Sequence, residues 1–204
     1  MGRVYHYRAQ FSKALELYQQ ALDRLERQGH LKGLAMAYAS IAGSFLHLAG
    51  YPQVIEYAHK ILEVSGKTGF QRGEAIAHEF LSEAYGFIGH WDEALRHAQM
   101  NYEIASKIGA TARLVWAEYT MGDAYWLKGE LQRALEHLEK SYERAEMLGE
   151  TRAQTWIQLF TANTYADLGE WQKGESSALE RTLASLWDTS EFGKAPGKRP
   201  QRYW

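Results

Sequence analysis

The stretch Trp91-Asp92-Glu93-Ala94-Leu95 decides the fold, because its pattern returns along the chain at a fixed interval of 40 residues. The first position always holds a large residue: Phe11, Tyr51, Trp91, Leu131 and Trp171. A smaller residue follows three positions later: Ala14, Val54, Ala94, Ala134 and Gly174. Glycines precede the later copies and close most copies: Gly89, Gly129 and Gly169, and then Gly29, Gly69, Gly109 and Gly149. Five copies without an insertion or deletion predict a solenoid, because a fixed period in this range is its sequence signature.

Each copy is predicted to be a pair of helices. From Ala75 to Ile88 the apolar residues recur at helical spacing, and a short break follows at Gly89-His90. A second helical run, from Ala94 to Ile108, ends at Gly109, which suits a helix C-terminus. Two helices of about 18 residues, each roughly 27 Å long, therefore fill one period. The small residue at Ala94 and its equivalents should let the paired helices approach closely.

The order of these residues resembles the tetratricopeptide repeat (TPR). The resemblance runs from Met1 to about Leu186 and is carried most specifically by the fourth copy, through Met121-Gly122, Tyr125, Gly129, Leu131 and Ala134. It implies an all-α fold: a right-handed superhelical solenoid of antiparallel helix pairs with about 4.5 to 5 repeats. The period of 40 residues exceeds the usual length of about 34, and the proline that separates family repeats is absent. Long repeats of this kind are similar to those of bacterial maltose-activator-type regulators, multidomain cyclases and kinesin light chains.

The repeat pattern divides the chain into one long domain and a tail. We expect a TPR-like helical domain over residues 1–188, with repeats near 1–29, 30–69, 70–109, 110–149 and 150–188. Residues 189–204 hold basic side chains, prolines and glycines without helical periodicity, and they predict a disordered basic tail. Met1-Gly2 falls in the middle of a first helix of the repeat, so we expect a fragment or truncated domain that self-associates through uncapped ends. The alternative is a deliberately short first helix.

Composition narrows the function classes. The formal net charge of −2 argues against a direct nucleic-acid binder, which would carry a basic stripe. There is no cysteine, hence no disulfide framework. No apolar run reaches the length of a membrane span and the N-terminus is not a signal peptide, so the cytoplasm is the expected location.

The chain lacks a convincing catalytic pattern. His78-Glu79 would need a second histidine at position 82 to form a zinc-binding helix, and Ser82 stands there. His97 and His137 share one repeat position on second helices, and we expect them to be surface histidines. We therefore expect no enzyme activity, no metal and no cofactor.

The resemblance implies a binding groove on the concave face, which the first helices of TPR pairs line. The groove positions carried over from the family are Glu79, Glu83, Phe87, Trp116, Tyr119, Asp123, Trp126 and Asn163. The alternative is that the tryptophans pack between helices and the acids form a solvated face. For Trp156, another groove position, packing is favoured, whereas for Trp126 and Tyr119 both alternatives stay open.

Acids and aromatics at these positions replace the Lys, Arg and Asn with which chaperone-binding TPRs clamp a peptide carboxylate. They favour a protein or peptide partner that is basic or aromatic. The first functional hypothesis is a protein–protein interaction scaffold that binds a peptide or helical segment in the groove. The second is an effector-sensing regulatory arm of a larger transcription regulator or cyclase. Neither involves a membrane or direct contact with nucleic acid.

Overall fold

The computed structural model describes residues 2–170, and every secondary-structure element in that range is an α-helix. The elements are α1 Gly2–Tyr7, α2 Phe11–Arg27, α3 Leu31–His47, α4 Tyr51–Thr68, α5 Gln71–Phe87, α6 Trp91–Lys107, α7 Thr111–Lys128, α8 Leu131–Met147 and α9 Thr151–Asp167. The helices have the lengths and breaks that the period of 40 residues predicts. The second helix of the fifth copy and the basic tail lie outside the described residues.

The small residue of each copy lies where paired helices cross. Ala14, Ala94 and Ala134 are fully buried. A Cβ atom added to Gly122 of α7 would lie 3.2 Å from the carbonyl oxygen of Ala134 on α8 and 2.8 Å from Leu138. The helices are therefore in close contact at this position, which leaves no room for a larger side chain.

The turn inside each copy uses a left-handed residue. Gly89 has a φ of 84°, and the amide of His90 after it donates to the Tyr85 carbonyl at 2.8 Å. The two earliest copies make the same turn with alanine, because Ala9 and Ala49 have φ values of 54° and 55°. The turn geometry is thus kept even where the glycine is missing, at a cost in backbone strain.

The odd-numbered helices form the inner layer of the array. Each helix packs on the next in sequence, and in addition α3 contacts α5, α5 contacts α7 and α7 contacts α9. The even-numbered helices make no comparable contacts with one another within residues 2–170. Because the odd-numbered helices contact one another and the even-numbered helices do not to a comparable extent, the array curves with the odd-numbered layer on the concave side.

A contact between the first and last described helices spans the array. The guanidinium carbon of Arg152, at the start of α9, lies 5.5 Å from the ring centroid of Tyr7, at the end of α1. Arg3 approaches the same ring at 5.7 Å and donates to the Tyr7 hydroxyl at 3.1 Å.

Candidate functional site

The candidate site lies on the inner layer, where α5 and α7 meet. Glu79 and Glu83 are one turn apart on α5, and Tyr119 and Asp123 occupy the equivalent positions on α7. The electrostatic influence of Glu79 and Asp123 on Glu83 indicates that the three carboxylates are neighbours in space. The repeat thus places Glu79, Glu83 and Asp123, three of the groove positions named from the sequence, near one another.

Glu79 is neutralised by a cation from the neighbouring helix. Its carboxylate accepts a hydrogen bond from the guanidinium of Arg113 on α7, and both side chains are half-buried. The sequence reasoning missed Arg113. A signal was present, because the equivalent positions hold Gly33, Gly73 and Ala153, and an arginine there is out of pattern.

Glu83 and Asp123 have no such partner. Asp123 is only 6% exposed, Glu83 is half-buried, and within residues 2–170 neither carboxylate has a hydrogen bond or an ion pair. Burial raises the pKa of Asp123 to about 7. Burial first, and then the charges of Glu79 and Asp123, raise the pKa of Glu83 well above its usual value. The two acids therefore hold less than two negative charges at neutral pH.

Tyr119 packs inside the site and forms its wall. Its side chain is 6% exposed and meets Phe160 of α9 edge to face at 5.0 Å between ring centroids and Trp116 at 6.0 Å. Burial raises the pKa of its hydroxyl well above the usual value, and the nearby Asp123 and Glu83 act in the same direction. Of the two alternatives left open for Tyr119, the structure favours packing.

Trp156 differs from the expectation that it would pack. It is 47% exposed on α9, although its ring touches Phe160 at 5.7 Å. Trp126 is half-buried and donates its indole N–H to Asp167 at 2.9 Å.

The two remaining predicted groove residues are exposed. Phe87, 49% exposed, stacks on Tyr51 of α4 at 5.2 Å between ring centroids. Asn163 is exposed on α9 at the position equivalent to Asp123. Of the predicted groove residues, Glu79, Glu83, Tyr119 and Asp123 thus form one group on α5 and α7.

The expectation of surface histidines is wrong for His97. Its side chain is 5% exposed, and its Nδ1 lies 3.0 Å from Nδ1 of His78 across the α5–α6 pair. Since Arg96 donates to Nε2 of His97, His97 carries its proton on Nδ1 and donates it to His78. His137 occupies the same repeat position and is half-buried, paired with buried Glu118 at 2.7 Å. The sequence missed these partners because they come from the other helix of the pair, 19 residues earlier.

The matches to the tetratricopeptide repeat family cover residues 74–147 and, through a second family model, residues 1–30. The chain is a tetratricopeptide repeat protein. This confirms the resemblance and, with the helix pairs described above, the predicted fold class. No curated protein matches the chain by sequence.

Solved structures share the fold of this TPR protein at low sequence identity. A Rap protein complexed with Competence and Sporulation Factor matches with a TM-score of 0.82 and 17% identity over 92% of this chain, which spans 53% of that protein. BtubC (BKLC) from P. vanneervenii matches with a TM-score of 0.70 and 18% identity, covering 97% of this chain and 81% of its own. Kinesin light chain TPR-like repeats from Podosopora anserina match with a TM-score of 0.63 and 19% identity, covering 93% of both chains.

Within residues 2–170 no three His, Asp or Glu side chains are arranged to hold a metal. No helix in the same range is long and apolar enough to cross a bilayer.

Proposed function

We propose that this TPR protein is an interaction scaffold whose concave face binds a peptide or a helical segment of a partner protein. One observation carries the proposal: exposed aromatic surface at Trp156 lies on the same inner layer as the unpaired carboxyls Glu83 and Asp123. Exposed aromatic anchors beside desolvated polar groups are typical of binding hot spots. The Rap protein solved with Competence and Sporulation Factor supports this interpretation by analogy of fold alone.

The chemistry of the inner layer favours a partner segment with basic and aromatic or apolar residues. Glu83 and Asp123 lack a cation of their own, since the nearby Arg113 is engaged by Glu79. Aromatic rings at Trp116 and Trp156 offer surface for side chains next to the cation. An anionic segment, including nucleic acid, would meet like charge here.

A display selection with random peptides tests the proposal, because it lets the groove choose its own ligand. Random twelve-residue peptides are selected on the full chain, and each enriched peptide is then titrated against variants. We expect Trp156→Ala and Glu83→Gln to weaken binding, while Met147→Ala, a truncation of a more exposed apolar side chain on α8 of the outer layer, leaves it unchanged. Peptides that bind all three variants like the wild type would place the binding surface elsewhere and overturn the proposal.

A second function rests on the partial coverage of the longer Rap protein, of which this chain spans 53%. In that case the repeats are an effector-sensing arm of a larger regulator or cyclase. The same selection separates the two functions, because an effector-sensing arm binds a small molecule in competition with, or in place of, the selected peptides.

A further inference from the structure

We propose that Glu83 and Asp123, with the wall of Tyr119 beside them, form a recess for one lysine or arginine side chain of the bound partner segment. This inference rests on the proposed function and names the residue that the groove recognises. Glu83 lies on α5 and Asp123 on α7, so each helix supplies one carboxyl from the same repeat position.

Asp123 is largely buried and has no cation partner within residues 2–170. A carboxylate that is 6% exposed normally has hydrogen-bond donors or an ion-pair partner, because leaving it bare costs free energy. The titratable and charged groups around the two carboxyls are Glu79 on α5 and Tyr119 and Arg113 on α7. Arg113 is held by Glu79, and Tyr119 hydrogen-bonds to neither carboxyl, so no described residue satisfies the pair.

The surroundings select the class of occupant. A lysine or arginine head can lie between the two carboxyls while its methylene stem runs along an aromatic wall. The half-buried rings of Trp116 and Phe160, which pack on Tyr119, supply that wall. A metal ion fits less well, since no cluster of three ligating side chains exists within residues 2–170. The net negative charge of the recess excludes an anionic side chain.

Occupation by a cation should release protons. Both carboxyls bind protons more tightly than usual, because burial disfavours their charged forms. A bound ammonium or guanidinium favours the charged forms, so each binding event transfers protons from the carboxyls to the buffer. Affinity for a basic peptide should therefore rise with pH through the region near 7.

The test uses the tightest peptide from the display selection and a copy in which citrulline replaces arginine and acetyl-lysine replaces lysine. We expect the neutral copy to bind about tenfold or more weakly to the wild-type chain. Asp123→Asn and Glu83→Gln should weaken binding of the basic peptide by a similar factor. Binding of the neutral copy should stay unchanged in both variants. Glu139→Gln on α8, an exposed carboxylate of the outer layer, is the matched control.

Calorimetry in two buffers of different ionisation heat adds an independent readout. Proton release at pH 6.5 should be measurable for the wild type and reduced for Asp123→Asn. Equal affinity of the basic and neutral peptides, or unchanged binding by a folded Asp123→Asn variant, would overturn the inference while leaving the scaffold function intact. Failure to select any groove-dependent peptide would instead overturn the scaffold function itself. If butylammonium alone matches the peptide's affinity, the site takes a free organic cation and the side-chain inference is wrong.

Discussion

Replacing Asp123 by asparagine should stabilise the protein at alkaline pH and not at acidic pH. The native pKa of Asp123 is about 7, against 3.8 for the unperturbed carboxyl. Because the native pKa is the higher one, its stabilising contribution is fully present below pH 3.8 and is lost as the pH rises through 7. Above that range the wild type keeps a buried charge that the unfolded chain would hydrate, and asparagine removes this cost.

The size of the effect follows from the shift in pKa. One unit corresponds to about 1.4 kcal/mol, so a rise from 3.8 to about 7 sets a ceiling of about 4 kcal/mol. Water entry and local relaxation screen buried charges, and we therefore expect a gain of about 1–3 kcal/mol at pH 8. Asparagine is nearly the same size as aspartate, so packing against Tyr119 should change little.

Urea denaturation of the wild type and Asp123→Asn at pH 5 and pH 8 measures this directly. The difference between the two proteins cancels the titration of groups that Asp123 does not influence, including the histidines, whereas Glu83, whose pKa the charge of Asp123 raises, contributes to the difference. A variant that is destabilised equally at both pH values would refute the reasoning, because it would indicate that Asp123 makes a favourable contact in the native state.

Three further predictions concern the repeat core and its turns. Replacing His78 and His97 together by tyrosine, the residue type at both equivalent positions one repeat earlier, should make the stability of the protein less sensitive to acid. The native pKa of His97 is about 4 against 6.5 for the unperturbed side chain, so stability present above pH 6.5 is lost as the pH falls towards 4. Denaturation of both proteins across that pH range would reveal the difference. Ala49→Gly should stabilise by about 1 kcal/mol, because it relieves a φ of 55°, whereas Gly89→Ala should destabilise similarly; equal melting temperatures for variants and wild type would contradict this. Ala134→Leu should overpack a fully buried crossing and cost about 1–3 kcal/mol, and an unchanged denaturation midpoint would show that the register is wrong.

The sequence predicted the architecture because the repeat is periodic at every level. Helix breaks follow the glycines, and the buried alanines follow the period. Even so, the pattern did not reveal that Ala49 adopts a glycine-like φ, since the strain is imposed by the turn rather than by the residue.

The site was less predictable because burial depends on neighbouring helices. The family positions assign Glu83 and Asp123 to equivalent places on successive first helices, but the sequence alone does not say that Asp123 is covered while Trp156 is exposed. Those properties arise from how closely α5, α7 and α9 approach one another. The pairing of Glu79 with Arg113 is a contact between repeats, which reasoning about one repeat at a time misses.

The contact between Tyr7 and Arg152 bears on how the ends of the array open. Units that touch only their sequence neighbours fray independently at the two ends. Here an aromatic ring on α1 and a guanidinium on α9 are in contact, so opening of either helix removes a contact from the other. An exposed cation–π pair is worth about 0.5–1 kcal/mol, which corresponds to a roughly two- to fivefold change in the open population. Hydrogen exchange at α1 and α9 should accordingly respond together when only one of the two residues is changed.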